Sequence, residues 1–508
     1  MPESTDLEAR AHTALDEVTA LRRDVAREGR EIFRAWRSRI GRTAFASGAL
    51  NFAHYLAFRR HDLRPLQRKL MVLGISSLGR LEGRVLVSLD AVAVALAALA
   101  QTQDAASRPP SERRFFRGDA RLAANAAEIF GPPHKGRAGR IMVTLATETA
   151  ADPGLIQRLT EAGADAVRIN CAHDGPKVWE RMIANVRLAE GEVGRKLRIL
   201  MDIAGPKVRT GRVVTPADRN RVLIGDIILL VRDIRSEVPE APFQMTCVPP
   251  EVLDHLKVGD EASLDDGQLQ GPIIGEAHGG FLLRIERGRL AGLKLRPEKG
   301  LNFPAVDLGL DPLTDKDRED LGFVVRHADI IGHSFVQSAE HVAALQTELA
   351  RHTDDWRRIA VVGKIETPRA VQNLPEIVVQ GAGQQPFAVM IARGDLAVEM
   401  GFERVAEMQE EILWLCEAAH VPVIWATQVL EELVKKGLPS RGEMSDVVMA
   451  SRAECVLLNK GPNVGTAVGV LDRLLRRMGE HQVKKTPTLR ALHSWQHREP
   501  ARVKQPTP

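Results

Sequence analysis

The sequence predicts an α/β protein built around a (β/α)₈ TIM barrel, with a small β-barrel lid domain inserted into it and an α-helical extension before it. Eight short apolar runs rich in β-branched residues follow one another after residue 139, as buried parallel strands do. Six of the seven intervals between them have the length of one helix with its loops, which indicates a parallel sheet. Eight such units make one closed barrel.

Residues 1–100 are predicted to form the helical extension. Apolar residues recur at three-to-four spacing from Ala14 onward, Pro65 indicates the start of a new helix, and Leu86–Leu99 has the composition of a closely packed one. The segment ISSLGRLEGRVL, which begins at Ile75, has some features of a DNA-binding helix-turn-helix. Nothing else in the sequence supports that function, so a small helical packing domain is the preferred interpretation.

Residues 101–139 are predicted to form a linker and one helix that ends near Gly131, and the barrel is assigned to 140–210 and 297–480. The eight predicted strands are Ile141–Leu145, Ala166–Ile169, Leu197–Met201, Ala328–Ile331, Ile359–Val362, Phe387–Ile391, Val421–Trp425 and Glu454–Leu458. A last helix, Val464–Met478, then precedes a polar tail, 481–508, that we expect to be disordered.

The third interval between strands is far too long for one helix. Its middle, 211–296, contains the short apolar runs Val222–Ile224, Ile227–Val231 and Phe281–Ile285, separated by Gly, Pro and Asp. This pattern predicts a small all-β domain inserted into a barrel loop, where insertions are tolerated.

Composition excludes several classes of protein. A hydrophobic fraction of 44% and a net charge of +4 over 508 residues are typical of a soluble globular protein, and they indicate neither a nucleic-acid nor a membrane partner. The four cysteines are scattered without a CxxC pair, which fits a reducing compartment. The amino terminus lacks a signal-peptide pattern, and the most apolar stretch is interrupted by Asp90. We therefore expect a cytoplasmic protein.

Charged residues follow the fifth and sixth predicted strands directly. Lys364 and Glu366 come after one strand, and Asp395 comes after the other. The carboxyl ends of barrel strands carry the ligand site, so we expect the three side chains to converge. Two carboxylates and substrate oxygens commonly hold Mg²⁺, and a lysine beside them would neutralise developing charge. Each residue alone would be a solvated loop charge, but three at strand ends favour a site.

The other strand ends add complementary groups. They are Arg168 and Asn170 after the second strand, Asp202 after the third, with Lys207 and Arg209 in the loop beyond, Ser334 after the fourth, and Thr427 after the seventh. Arginine and lysine around one mouth suit a phosphorylated substrate that also carries a carboxylate. No Walker or protein-kinase motif is present, so a nucleotide would bind by another route.

Several longer motifs follow one another along the chain: RINCAHD, DIAGPKVRTG, SLDDGQ, KGLNFPAVDLGLDPLTDKDRED, GKIET, MIARGDLAVE and WATQVLEELVKKGLPSRGEMSDV. In sequence and in order they resemble the pyruvate kinase family, and the resemblance covers about two thirds of the chain. It implies a barrel with a lid that closes over phosphoenolpyruvate and ADP. It also implies phosphoryl transfer to ADP, followed by protonation of the enolate to give pyruvate and ATP.

The resemblance also implies a role for each matching residue. Glu366 and Asp395 would bind Mg²⁺, with Mn²⁺ as an alternative ion, and Lys364 would stabilise the transferring phosphoryl group. The remaining roles are phosphate-facing cations (Arg168, Arg209), nucleotide contacts (Asn170, His173), protonation of the enolate (Thr427), a turn that holds the substrate carboxylate (Ala392, Arg393, Gly394) and a lid residue (Asp266).

Three departures from the family pattern concern the monovalent cation. Ala172 and Ile203 stand where the family usually has K⁺-binding hydroxyls, and Lys207 stands in place of a glutamate. Members with lysine there resemble the K⁺-independent kind, in which the ammonium group replaces K⁺. We therefore expect no K⁺ requirement.

Other departures leave alternatives open. The loop after the first strand, Thr144–Thr149, and the loop after the eighth, Asn459–Pro462, differ from the family on the nucleotide side, and the usual carboxyl-terminal domain is absent. One alternative is a phosphoenolpyruvate-binding sensor with weak catalysis. Another is a Mg²⁺-dependent aldolase or lyase that acts on pyruvate or phosphoenolpyruvate. A homo-oligomer is expected in each case.

Overall fold

A closed barrel of eight parallel strands forms the centre of the computed structural model, which describes residues 2–102, 108–236, 238–304 and 306–487. Its strands are Arg140–Thr144, Ala166–Asn170, Arg198–Asp202, Ile330–His333, Ala360–Ile365, Phe387–Ala392, Val423–Ala426 and Cys455–Leu458. Each strand pairs with the next along the chain, and the eighth pairs with the first, with Arg140 opposite Cys455. All eight predicted strands are confirmed. They could be recognised in the sequence because a strand buried on both faces is a continuous apolar run.

Helices surround the barrel in the expected alternation. They are Pro153–Ala162, Pro176–Val193, Asp315–His327, Ala339–His352, Pro368–Gln372, Leu374–Gln384, Arg393–Met400, Phe402–Ala419, Glu431–Lys436, Arg441–Ala450 and Val464–Gly479. Single turns of 3-10 helix lie at Thr147–Ala150 and Asp354–Arg358.

The helix predicted before the barrel differs from the expectation. Residues 112–130 form two helices, Glu112–Phe115 and Arg117–Phe130, and the second ends at Gly131, which has a positive φ of 84°. The buried side chains of Ile129 and Phe130 pack against residues that point into the barrel interior, such as Met142 and Leu200. This helix therefore closes the amino-terminal end of the barrel.

The insertion after the third barrel strand is a separate β structure with its own apolar core. Its strands are Arg209–Val214, Arg221–Val222, Ile227–Val231, Phe243–Val248, Glu261–Leu264, Leu269–Ala277, Gly280–Arg284, Arg287–Gly288, Leu293–Lys294 and Leu301–Asn302, with a 3-10 helix at Pro250–His255. The two edges of its main sheet meet, since Thr210 N donates to Lys299 O at 2.8 Å and Leu301 N donates to Val208 O at 3.0 Å.

The amino-terminal extension consists of the helices Pro2–Trp36, Thr43–Phe58, Arg64–Val72 and Val85–Leu99, with short 3-10 segments at Arg37–Arg39 and Glu82–Arg84. It packs on the barrel helices Leu374–Gln384 and Phe402–Ala419. Trp36 Nε1 donates to Glu376 Oε1 at 2.9 Å, and Asn51 Nδ2 donates to Ala418 O at 2.8 Å. The connection over residues 73–84 is much longer than the three or four residues of a helix-turn-helix turn. The packing interpretation of this region therefore fits the structure.

The expectation of a disordered tail is wrong for its first residues. Gln482–Val483 and Thr486–Pro487 form a hairpin, while 488–508 lie outside the described residues. Lys484 Nζ donates to Arg452 O at 2.8 Å and forms an ion pair with Glu454, and Lys485 pairs with the buried Glu82 of the extension. The hairpin thereby connects the extension with the amino-terminal end of the barrel. Among the described residues, no helix has the length and apolar character needed to cross a bilayer.

Candidate active site

A buried cluster of charges lies at the carboxyl ends of the second, third and fifth barrel strands. Asp202 is 0% exposed, and its Oδ2 accepts from Arg168 Nε at 2.9 Å and lies 3.3 Å from Lys364 Nζ. Lys364 Nζ also lies 3.0 Å from Glu366 Oε1. Although burial opposes ionisation, the positive charges of Lys364 and Arg168 hold the pKa of Asp202 below its usual value.

The ammonium group of Lys364 is fixed in position by its acceptors. Besides the two carboxylates, it donates to Ser334 Oγ at 2.8 Å, and Ser334 Oγ in turn donates to Ile203 O at 2.7 Å. Burial lowers the pKa of Lys364, but Asp202 and Glu366 outweigh burial and raise it. The site therefore holds a permanently positive group in a low-dielectric environment, where charge has its largest electrostatic effect.

Glu366 and Asp395 form the pair of carboxylates expected from the sequence. Glu366 is 2% exposed, and its Oε2 accepts from Phe335 N at 2.5 Å. Burial raises the pKa of Glu366, and the charge of Asp395 contributes. Asp395 lies in the first turn of the helix Arg393–Met400, and its Oδ1 accepts from Lys207 Nζ at 2.9 Å.

Two neighbouring carboxylates, whose negative charges repel each other, suit a divalent cation. They are hard oxygen donors, and Mg²⁺ is usually held by one or two such groups together with substrate oxygens and water. Glu366 and Asp395 therefore fit a Mg²⁺ that shares its coordination with a substrate.

Lys207 is a second, half-buried lysine that interacts with the carboxylates of the site. Burial lowers the pKa of Lys207, but the charge and hydrogen bond of Asp395 outweigh burial and raise it, with a contribution from Asp266. Asp266 lies in the turn that follows the strand Glu261–Leu264, where its φ is +56°. Asp266 and Lys207 therefore lie near each other.

A further contact links the insertion to the sixth-strand helix. Asn302 Nδ2 donates to Glu399 Oε1 at 2.6 Å, and burial raises the pKa of Glu399 to about 7. A cavity of about 760 Å³ opens beside this contact, and Lys207 and Phe335 are among the residues that line it. The insertion thus contacts the barrel next to Asp395.

The ends of the sixth and seventh strands form one hydrogen-bonded unit. Gly394 N donates to Thr427 Oγ1 at 2.7 Å, and Thr427 has a left-handed φ of 64°, which is unfavourable for a β-branched residue. Arg393 holds this conformation, because its Nη2 donates to Thr427 O at 2.6 Å and its Nε donates to Ala426 O at 3.2 Å.

Sequence reasoning gave Asp446 no role. The structure places its carboxylate on the guanidinium of Arg393 in a bidentate pair, with Nη2 to Oδ2 at 2.9 Å, and the guanidinium stacks on Trp425 at 4.6 Å. Ser440 begins the helix that carries Asp446, since its Oγ accepts from Glu443 N at 3.3 Å. The side chain of Arg393 is therefore bound within the protein, and only its backbone is free to contact a substrate. The signal in the sequence was that Asp446 lies in the SDV end of a motif that resembles the family.

The predicted nucleotide residues share a second cavity of about 320 Å³. Asn170, His173 and Arg168 line it, together with Lys460 from the loop after the eighth strand. Burial lowers the pKa of His173, with contributions from Lys460 and Arg209, so the imidazole is neutral at physiological pH. Arg209 does not line this cavity, and its Nη1 donates to Glu298 O at 3.2 Å.

Comparison with known proteins places this arrangement in a family. Residues 136–467 match the model "Pyruvate kinase, barrel domain". A pyruvate kinase of Methylorubrum extorquens is 30% identical over 397 residues, which cover 72% of this chain and 79% of that protein. A pyruvate kinase of Mycobacterium intracellulare is 31% identical over 69% of this chain and 72% of that protein.

Other relatives extend beyond the matched region. The chain spans 64% of the length of pyruvate kinases 1 and 2 of Trypanosoma brucei brucei, at 31% and 32% identity over 65% of this chain. A crystal structure of a pyruvate kinase from Cryptosporidium parvum has the same fold, with a TM-score of 0.60 at 23% identity over 69% of this chain and 72% of that one. The chain therefore belongs to the pyruvate kinase family.

Proposed function

We propose that this protein transfers the phosphoryl group of phosphoenolpyruvate to ADP in a Mg²⁺-dependent reaction that gives pyruvate and ATP. The observation that carries the proposal is Lys364, a buried ammonium group held between Asp202 and Glu366 at the barrel mouth. Phosphoryl transfer requires positioned charge more than covalent chemistry. A fixed cation beside two carboxylates supplies that charge.

Glu366 and Asp395 would hold the Mg²⁺, which neutralises charge on phosphoryl oxygens when it is bound. Lys364 would contact the phosphoryl group during transfer. Arg168, which Asp202 orients through two hydrogen bonds, would contact the same group from the second strand. Each cation is already oriented by a carboxylate, so no reorganisation is needed at the moment of reaction.

Thr427 would take part in protonation of the enolate. Its Oγ1 accepts from Gly394 N at 2.7 Å, so the hydroxyl proton is free to be donated towards the substrate. A threonine hydroxyl is a weak acid and needs a water chain or a neighbouring cation to pass on a proton. The amino-terminal turn of Arg393–Met400 would hold the substrate carboxylate through its backbone amides, where the helix dipole favours negative charge.

The nucleotide would bind in the 320 Å³ cavity. A neutral His173 and the amide of Asn170 offer contacts to a base or ribose, and Lys460 offers a positive charge to the phosphates. Asp266 of the insertion would close over the site from the side of Lys207.

We also propose that the reaction needs no K⁺. The ammonium group of Lys207 contacts Asp395 directly, and neither Ala172 nor the buried Ile203 offers a side-chain oxygen. A fixed positive charge would thus replace a bound ion. The variant Ala172→Ser/Ile203→Thr/Lys207→Glu, which restores the usual pattern, should acquire activation by KCl. Strong activation of the unmodified protein by KCl would refute this proposal.

The deciding experiment measures pyruvate formation from phosphoenolpyruvate with Mg²⁺ and ADP, then GDP, with and without KCl. We expect activity with a nucleotide, and a loss of at least about 10³-fold in Lys364→Met, which removes the charge and keeps the length of the side chain. Asp395→Asn, of the same size, should raise the Mg²⁺ concentration needed for half-maximal activity. Cleavage or formation of a carbon–carbon bond in the absence of nucleotide would instead support the aldolase or lyase.

A sensor is the second candidate, because the altered loops after the first and eighth strands both contribute to the nucleotide cavity, through Thr144 and Lys460. Tight binding of phosphoenolpyruvate in calorimetry, with no pyruvate formed from any nucleotide, would favour it over the kinase. Light scattering in the same buffer tests the expected homo-oligomer.

A further inference from the structure

A small basic pocket lies within the insertion, apart from the cavities at the barrel mouth. Its volume is about 250 Å³. Its charged lining residues are Arg221, Arg289, Lys294, Arg296, Lys299 and Asp265. The only carboxylate among them, Asp265, lies 3.0 Å from Lys299 Nζ and is neutralised by it. Four cations therefore face this pocket without a carboxylate to balance them.

Two of these cations lie directly opposite each other in a β ladder. Arg221 pairs with Lys294 in the two-residue antiparallel ladder in which Val222 pairs with Leu293. Val222 is fully buried, so its packing fixes the register and forces the two cations together. Like charges in directly opposed positions destabilise a ladder. Packing accounts for the register but gives no reason for both outer positions to be basic.

The backbone around the ladder restricts Arg221. Its Nη1 donates to Ala291 O at 3.3 Å and to Gly292 O at 3.0 Å, so the guanidinium is held in place while its other nitrogens remain available. Gly292 has a positive φ of 68°, and its N donates to Arg289 O at 2.9 Å. This turn brings Arg289 to the same pocket.

Two other arginines of the insertion are neutralised by carboxylates. Arg219 pairs with Asp226 at 2.8 Å, and Arg287 pairs with Glu261 at 3.2 Å. Within the described part of the chain, no carboxylate lies close enough, within 4.0 Å, to form an ion pair with Arg221, Arg289, Lys294 or Arg296. Four cations without ion pairs therefore line one concave surface, as in a site for anions.

We propose that this basic pocket binds a small anion that carries two or more phosphate groups. Different cations of the pocket can each take one phosphate, and the planar guanidinium groups can bind phosphate oxygens in a bidentate manner. Binding also relieves the repulsion between Arg221 and Lys294. The pocket shares no lining residue with the candidate active site, so the proposal does not depend on the proposed reaction.

Calorimetry with inorganic pyrophosphate tests the proposal, in EDTA and at about 0.15 M ionic strength, where weak surface attraction is screened. We expect saturable binding at one site per chain. The double variant Arg289→Ala/Lys294→Ala should bind at least about tenfold more weakly, because two charge-assisted contacts are lost. Lys257→Ala, which removes an exposed cation of the same domain outside the pocket, should leave the affinity unchanged.

Two further measurements locate the bound anion. Lys364→Met should bind pyrophosphate with normal affinity, and hydrogen exchange should show ligand-dependent protection within residues 289–299. The double variant should unfold at the same temperature as the unmodified protein or a higher one, since a like-charge contact is removed. The absence of saturable binding would overturn the proposal. Unchanged affinity in the double variant, or loss of binding in Lys364→Met alone, would also overturn it.

Discussion

Removal of the Asp446 carboxylate should destabilise the turn of the candidate active site that Arg393 supports. Arg393 is 9% exposed, and its guanidinium makes four hydrogen bonds, two to Asp446 and one each to the carbonyl oxygens of Ala426 and Thr427. In Asp446→Ala the guanidinium keeps the two carbonyl acceptors and loses its counter-charge. A buried cation without its partner is unfavourable.

The expected loss of stability follows from the burial of the Arg393–Asp446 ion pair. Breaking a buried ion pair by removing one partner costs about 3–5 kcal/mol. The Asp446 side chain is 23% exposed, so water reaches the gap and the lower end, about 3 kcal/mol, is expected. If the strained Thr427 conformation relaxes by about 1 Å, kcat should fall on the order of 100-fold.

Urea unfolding followed by tryptophan fluorescence and a lactate dehydrogenase-coupled assay measure the two effects. Asp446→Asn, which keeps the size of the side chain and one acceptor, should give intermediate values. The double variant Arg393→Met/Asp446→Ala should cost less than the sum of the single variants, because it leaves no unpaired charge. A free energy of unfolding within about 0.5 kcal/mol of the unmodified value in Asp446→Ala would refute this account of the turn.

Three further predictions concern the rest of the molecule. Burial raises the pKa of Glu417 to about 7; the negative charges of Glu82 and Glu454 add to this shift, while Lys484 and Lys485 oppose it. Since the folded state then binds the proton more tightly than the unfolded state, this group's contribution to stability falls as the pH rises from about 4.5 to 7. Glu417→Gln should flatten that decline and raise stability at pH 8 by about 2 kcal/mol, measured by urea unfolding across pH; an unchanged pH profile would contradict it. A Cβ at Gly118 would lie 2.0 Å from Gly83 O, so Gly118→Ala should lower the free energy of unfolding by about 2 kcal/mol or more. The control Gly465→Ala, in an open helical position, should stabilise the protein slightly. Equal melting temperatures for the two variants would disprove the contact. All four cysteines are buried, and burial raises their pKa values. A thiol reagent should therefore label them only after denaturation. Rapid labelling of the native protein would count against the described packing.

The barrel could be predicted because local sequence carries its signal. A strand buried on both faces must be apolar over its whole length, so each of the eight strands appears as a continuous run. The candidate site followed from the same reasoning, since charges directly after parallel strands converge at one end. Lys364, at the end of the fifth strand, lies 3.3 Å from Asp202, at the end of the third, for this reason.

Contacts between distant segments could not be predicted in this way. The ion pair between Lys485 and Glu82 joins residues that are far apart in the sequence, and it holds in place a segment whose composition indicates disorder. The helix Arg117–Phe130 likewise shows an ordinary amphipathic pattern, and nothing local indicates that Phe130 closes a barrel. Such contacts depend on the final packing of elements that are far apart in sequence.

The sequence by itself determined the fold class, the succession of strands and helices, and the residue types at the strand ends. Periodicity and burial depend on near neighbours, and the chain encodes both directly. Only the tertiary structure decided which charges neutralise one another. It pairs Arg393 with Asp446 and leaves Arg221 opposite Lys294, because electrostatic partners are set by distance in space, and distance follows from packing.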